Sequence, residues 1–158
     1  PSEYDQAIRN YETALEINPD FAECHYWFSK LLVAGERLEP DGTLIKKSDP
    51  QRAERHLRKA IAIDPRFSKA FYRLGLLLKE QEKFADAYDQ LERAIEINPK
   101  FAKAHFHMAV LLMDEKAAKA LSRAKRSTEG SSANGRKPPA SKRRRTVAKR
   151  ETTRKKAG

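Results

Sequence analysis

The chain has 158 residues, 33 Lys and Arg against 22 Asp and Glu, and a formal net charge of +11, a length that suits one domain with an appendage. Residues 1–114 carry 17 basic and 19 acidic side chains, a net of −2, whereas residues 115–158 carry 16 and 3, a net of +13, with no Phe, Trp or Tyr. No run reaches the ~18 apolar residues of a membrane span, the N-terminus lacks the basic and apolar regions of a secretory signal, and Cys24 alone excludes an intramolecular disulfide, so the expected location is cytoplasmic, or nuclear in a eukaryote.

Apolar residues spaced three and four apart predict a first helix over about 3–17, with Ala7, Tyr11 and Ala14 on one stripe, ending at Asn18-Pro19. A second, over about 22–38, carries His25, Phe28, Ser29 and Leu32. Glu39-Pro40-Asp41-Gly42 and Ser48-Asp49-Pro50 then read as a loop. Helices over about 50–63, 68–80 and 84–97 follow, and a last one over about 102–125 has no Gly or Pro inside it. Its second half is rich in Ala and Lys with Leu121 as its one large apolar residue, which predicts a projecting or capping helix. Residues 127–158 hold almost no apolar side chains, cannot bury enough surface to offset chain entropy, and read as a disordered basic tail.

These helices repeat. Ala14-Leu-Glu-Ile-Asn-Pro-Asp-Phe21, Ala60-Ile-Ala-Ile-Asp-Pro-Arg-Phe67 and Ala94-Ile-Glu-Ile-Asn-Pro-Lys-Phe101 align, with Pro65 and Pro99 34 residues apart and Pro19 and Pro65 46 apart, which is 34 plus 12. The set Ala7, Tyr11, Ala14, Pro19 recurs as Ala53, Leu57, Ala60, Pro65 and as Ala87, Leu91, Ala94, Pro99. Ser29, Gly75 and Ala109 recur where two helix backbones need to approach closely, and each Asn/Asp-Pro pair ends a helix, because the residue before Pro is pushed out of the α region. Phe21, Phe67 and Phe101 then sit where they can plug the junction between repeats.

In period, in the small residues Gly75 and Ala87, in the Ala94 slot and in the Pro99 terminator, the chain resembles tetratricopeptide repeat proteins over roughly residues 3–113. The resemblance implies an all-α fold, a short right-handed helical solenoid of antiparallel helix pairs. It divides the chain into a partial repeat with a second helix only (1–20), a repeat with a 12-residue inter-helix insertion (21–66), a complete repeat (67–100), a final or capping helix (101–126) and the tail (127–158). The first of these leaves apolar residues such as Ile8 and Leu15 incompletely covered, an edge suited to self-association.

Nothing in the sequence matches a nucleophile elbow, a Gly-rich phosphate loop or a paired acid motif, so no catalysis and no cofactor are expected. His105 and His107, two apart on a helix, point to different faces and do not read as a metal site; His105 is expected to pack and His107 to lie on the surface. The resemblance implies that first helices line a concave groove. By register this groove takes Tyr26, Trp27 and Lys30, then Lys69, Tyr72, Arg73 and Leu76, then Lys103, Phe106 and His107. Tyr26, Tyr72 and Phe106 either form an aromatic ladder for a partner peptide, acidic where Lys69, Arg73 and Lys103 flank it, or simply pack between helices. Lys69 and Arg73 are similar to part of the carboxylate clamp of some family members, but Trp27 stands where that clamp has an Asn. In the tail, Lys142-Arg143-Arg144-Arg145, Lys149-Arg150 and Arg154-Lys155-Lys156 look like a nuclear-import signal or a polyanion-binding arm. The sequence therefore predicts a non-catalytic protein-interaction module; its alternative is a nucleic-acid-associated protein that binds through the tail, with the repeats serving dimerisation or recruitment.

Overall fold

In a computed structural model, which describes residues 3–35, 37–38, 44–46 and 48–132, the helices are α1 (Glu3–Ile17), α2 (Ala22–Val33), α3 (Pro50–Ile63), α4 (Ser68–Glu80), α5 (Phe84–Ile97), α6 (Ala102–Met113) and α7 (Glu115–Ser132). α2 packs on α3 and α4 on α5 as antiparallel pairs, and the pairs stack as the repeat predicts. The core follows the repeat slots: Phe28, Leu32, Leu57, Leu78 and Leu91 are almost completely buried, as are Ala53, Ala60, Ala87 and Ala94. A Cβ at Gly75 would lie 2.9 Å from Leu91 Cγ and 3.2 Å from the Ala87 oxygen, which is the close approach its small size permits.

The three repeat junctions are built identically. Asn18, Asp64 and Asn98 each donate their backbone N–H to the carbonyl four residues back, at 2.9, 2.9 and 3.1 Å. Each side-chain Oδ1 then accepts from the N–H two residues ahead: Asp20 at 3.2 Å, Arg66 at 2.9 Å and Lys100 at 3.2 Å. Asn or Asp precedes Pro here because one short side chain both closes the helix and makes the turn.

Four predicted helices, over 3–17, 50–63, 68–80 and 84–97, coincide with α1, α3, α4 and α5. Three expectations need correction. The second helix ends at Val33 and not at 38, since Gly35 is wedged in: a Cβ there would lie 3.2 Å from Tyr4 Oη and 3.3 Å from Ser48 Cα. The segment that reads as a loop carries a two-stranded antiparallel hairpin, β1 (Arg37–Leu38) with β2 (Leu44–Lys46), Leu38 pairing with Leu44 and Arg37 with Lys46 across a register shift. The run Pro40-Asp41-Gly42 between them is a strong turn former.

The last helix is also two. Asp114 takes extended backbone, φ −74° and ψ 121°, and its Oδ1 accepts from the N–H groups of Lys116 (2.9 Å) and Ala117 (3.1 Å), capping a new helix. That helix continues through residues 127–132, the part of the chain where composition alone predicts the disordered tail to begin; Ser122 and Ser127 bond back to the carbonyls of Ala118 and Arg123 without breaking it. Residues 133–158, and with them the three basic clusters, lie outside the described residues.

Candidate functional site

The face formed by the first helix of each repeat, α2, α4 and α6, holds the residues that the register assigns to a groove. Trp27 is 49% exposed, and the Lys30 ammonium sits 4.1 Å from its ring centroid, so this cation is held on an aromatic surface. On α4, Lys69 is exposed, and Arg73 and Leu76 are half-buried. Two clefts open on either side of Leu76. A small one of about 50 Å³ has Val33, Arg73 and Glu80 in its wall, and a larger one of about 200 Å³ has Lys79, Glu80 and His107. Lys103 and Phe106 are exposed on α6.

The aromatic ladder does not form as a surface. Tyr26 and Tyr72 are buried, Tyr26 against Phe67 (ring centroids 5.1 Å apart) and Tyr72 against Phe101 (4.9 Å), so these two rungs pack between repeats. Each of those Phe residues plugs the junction ahead of it. Phe106 occupies the same slot but has no following plug among the described residues, and it is 62% exposed. The histidine assignments are reversed. His105 is exposed, its Nε2 donating to the Pro99 carbonyl at 2.9 Å, while His107 is half-buried beside Tyr72 with its Nδ1 buried and without a hydrogen-bond partner among the described residues. Burial, and secondarily the Lys79 charge, lower its pKa.

A third cleft, about 410 Å³, opens where α1, α2 and α3 meet, and sequence reasoning missed it. Arg52 bridges α3 to Glu12 of α1 at 2.6 Å and lies 4.8 Å over the Phe28 ring. His25 Nδ1 and His56 Nδ1 are 2.8 Å apart, and His25 Nε2 lies 3.0 Å from the Pro19 carbonyl oxygen. A carbonyl only accepts, so His25 carries its proton on Nε2 and accepts at Nδ1 from the Nδ1–H of His56. Burial, followed by His25 and the Arg52 and Lys59 charges, pushes His56 down to about 4; burial is also the main cause of a lowered His25. The signal was present in the sequence only as His25 in a core slot, since His56 falls where the other repeats have Asn10 and Gln90.

Among the described residues no group of three or more His, Cys, Asp or Glu side chains could hold a metal ion, and no helix is long and apolar enough to cross a membrane. Cys24 is buried, with Sγ 3.9 Å from the Tyr11 carbonyl, and burial raises its thiol pKa.

Comparison with known proteins agrees with this architecture. A tetratricopeptide repeat profile matches residues 68–101, and a second profile, of the TPR repeat, matches residues 2–32. No curated protein matches the chain. Among solved structures, a mutant of the Thermobaculum terrenum O-GlcNAc transferase aligns over 66% of this chain with a TM-score of 0.54 and 26% identity; the chain spans 18% of that protein's length. The first TPR of Spaghetti (RPAP3), bound to an HSP90 peptide, aligns over 76% of this chain and 81% of its own, with a TM-score of 0.58 and 20% identity. The Arabidopsis OM64 TPR domain aligns over 68% and 78%, with a TM-score of 0.54 and 20% identity.

Proposed function

Since the chain is a tetratricopeptide repeat protein, we propose that it is a non-catalytic protein-interaction module that holds an acidic peptide segment along the face of α2, α4 and α6. The observation that carries this reading is the pair of clefts flanking Leu76, with Arg73 at one, Lys79 and His107 at the other, and Glu80 at both. The clefts suit apolar side chains of an extended partner. Lys69, Arg73 and Lys103, on successive first helices, suit its carboxylates through charge-assisted hydrogen bonds. Trp27, with Lys30 over it, and Phe106 flank the face at its two ends, and Tyr26 and Tyr72 support it from behind. The basic tail would add localisation or polyanion affinity to this core.

Binding of a panel of acidic peptides to the full chain, read by fluorescence polarisation, tests the site. Lys69→Glu with Arg73→Glu is expected to keep the helical circular-dichroism signal and to weaken a bound peptide by about 2–5 kcal/mol, the cost of breaking desolvated charge contacts. A peptide that binds the double variant as tightly as the native chain sits elsewhere, and the assignment of this face is then wrong.

A further inference from the structure

The cations of α7 fall on one side of the helix. Lys116, Lys119, Arg123 and Arg126 are spaced 3, 4 and 3 residues apart, and all four are exposed. At 3.6 residues per turn they occupy about 80° of the helix circumference and about 15 Å of its length. Ala117 and Leu121 are buried where α7 packs on the stack, on a stripe centred about 160° round from the cations. The Asp114 cap and these two buried side chains fix the backbone that carries the row, so its charges are held in place and not spread along a free chain.

Near the first turn the row is partly neutralised, since Lys116 Nζ lies 3.4 Å from Glu82 Oε1 and Glu115 is exposed beside it. Farther along it is unopposed. Among the described residues Lys119, Arg123 and Arg126 are in no ion pair, and Arg126 lies back along the helix with its Nε donating to the Ser122 carbonyl at 3.3 Å. Lys119 and Arg123 are four apart and repel each other; an anion laid across both relieves that cost. Leu121 is the one large apolar side chain between residues 115 and 126, and it is buried, so the exposed face has nothing to insert into a membrane. Residues 115–158 contain no aromatic side chain to anchor a protein partner. Eleven further Lys and Arg against one Glu follow in residues 133–158, which calls for a long anion of regular charge.

We propose that the outer face of α7 docks into the major groove of duplex DNA, with Lys119, Arg123 and Arg126 pairing with the phosphates that border the groove. The helix runs to Ser132, about 16 Å past Leu121, its last buried side chain among the described residues, so this end reaches a groove while the stack stays outside. A helix with its side chains is about 10–12 Å across, and the major groove of B-form DNA is about 12 Å wide. The major groove of duplex RNA is too deep and narrow to admit it, and single strands are held by aromatic stacking that this face cannot supply. The contacts are to phosphate, so the surface sets affinity and orientation and not sequence.

Fluorescence anisotropy of the full chain with a short labelled DNA duplex, titrated at several salt concentrations, tests the proposal. Lys119→Gln, Arg123→Gln and Arg126→Gln together are expected to keep the helical circular-dichroism signal, since Gln is a good helix former, and to flatten the slope of log affinity against log salt by about 3. Adding Ala133→Arg, Asn134→Arg and Gly135→Arg to that variant restores the net charge without restoring the row. Affinity is expected to stay low. Recovery of native affinity there would show that only total charge counts, and an unchanged slope in the triple variant would show that α7 touches no phosphate. Duplex RNA of the same sequence, or vesicles of anionic lipid, competing as well as unlabelled DNA would take the helix out of the groove. Each of these three results overturns the proposal. If the triple variant has lost helicity, Arg123→Gln alone puts the same question: the slope is expected to fall by about 1, and no fall rejects the site.

Discussion

A hydrogen bond from His56 Nδ1–H to His25 Nδ1 ties α2 to α3, and a further proton on His25 Nδ1 would set two N–H donors against each other. Arg52, Arg55 and Lys59 act on His56 and all three disfavour a charge on it, while Glu12 in the same cleft is engaged by Arg52 and Asp20 acts on His25. The folded chain holds His56 neutral down to about 4, whereas in the unfolded chain it takes up its proton near 6.5. Between those limits the unfolded state binds more protons, so stability is full above 6.5 and falls as pH drops toward 4. Thermal melts are expected to lose roughly 4–8 °C per ~1 kcal/mol of this contribution. His56→Gln, the residue of the equivalent Gln90 slot, should flatten the dependence while keeping a hydrogen bond to His25. A variant whose melting temperature tracks pH as the native chain does would assign the effect to other groups. Such pairings are hard to read in a sequence, because His25 and His56 stand 31 apart and only the fold brings them together. The Asn/Asp-Pro turns and Gly75 were legible, since each acts on its own neighbours or on a slot that recurs. Tyr26 and Tyr72 were half-legible: their slot was clear, but whether a slot faces solvent depends on the Phe one repeat ahead.

At the scale of elements, periodicity located the helices and missed their punctuation. Asp114 lies in a run with no Gly or Pro, where a single Asp reads as tolerable inside a helix; its capping role shows only in the extended backbone it takes and in the two N–H groups its side chain accepts from. Asp114→Ala removes both side-chain bonds to the start of α7 and should cost about 0.5–2 kcal/mol locally. Hydrogen exchange then gives the check: faster exchange over residues 115–121, with α4 and α5 unchanged, is the expected pattern. Equal exchange in both proteins would mean that the kink is set by packing alone. The hairpin of β1 and β2 was hidden for a different reason. Its strands of two and three residues are too short to show an alternation, and only the turn-forming run between them was visible.

For the whole molecule the charge division is the dominant fact, −2 over residues 1–114 against +13 beyond. A cationic segment without aromatic side chains attracts phosphate and has no means of stacking on bases. If about six phosphates are engaged, the slope of log affinity against log salt on duplex DNA should lie near −5. Replacing Lys142, Arg143, Arg144 and Arg145 by Gln should flatten the slope in proportion to the phosphates no longer neutralised, without creating a sequence preference. Titrations that show salt-insensitive binding would move the site onto the repeats. The overall charge partition was readable from composition alone. The exposure of Phe106 was not, because Tyr26 and Tyr72 in the same slot are each covered by the Phe of the junction ahead.

The insertion in the second repeat keeps a hydrogen bond that the third repeat also has. Lys83 donates to the Leu78 carbonyl at 2.9 Å across the turn from α4 to α5, and Asp49 donates to the Leu32 carbonyl at 3.1 Å across the longer path from α2 to α3. Leu32 and Asp49 are the register equivalents of Leu78 and Lys83, so the stems meet alike whether 4 or 16 residues pass between them. Each doubling of a flexible loop costs only ~0.6 kcal/mol of closure entropy. Path length is thus nearly decoupled from the architecture it joins, and the α2–α3 turn is a permissive graft point. An epitope, a reporter or a recognition segment spliced there would ride on the stack without asking the helices to rearrange.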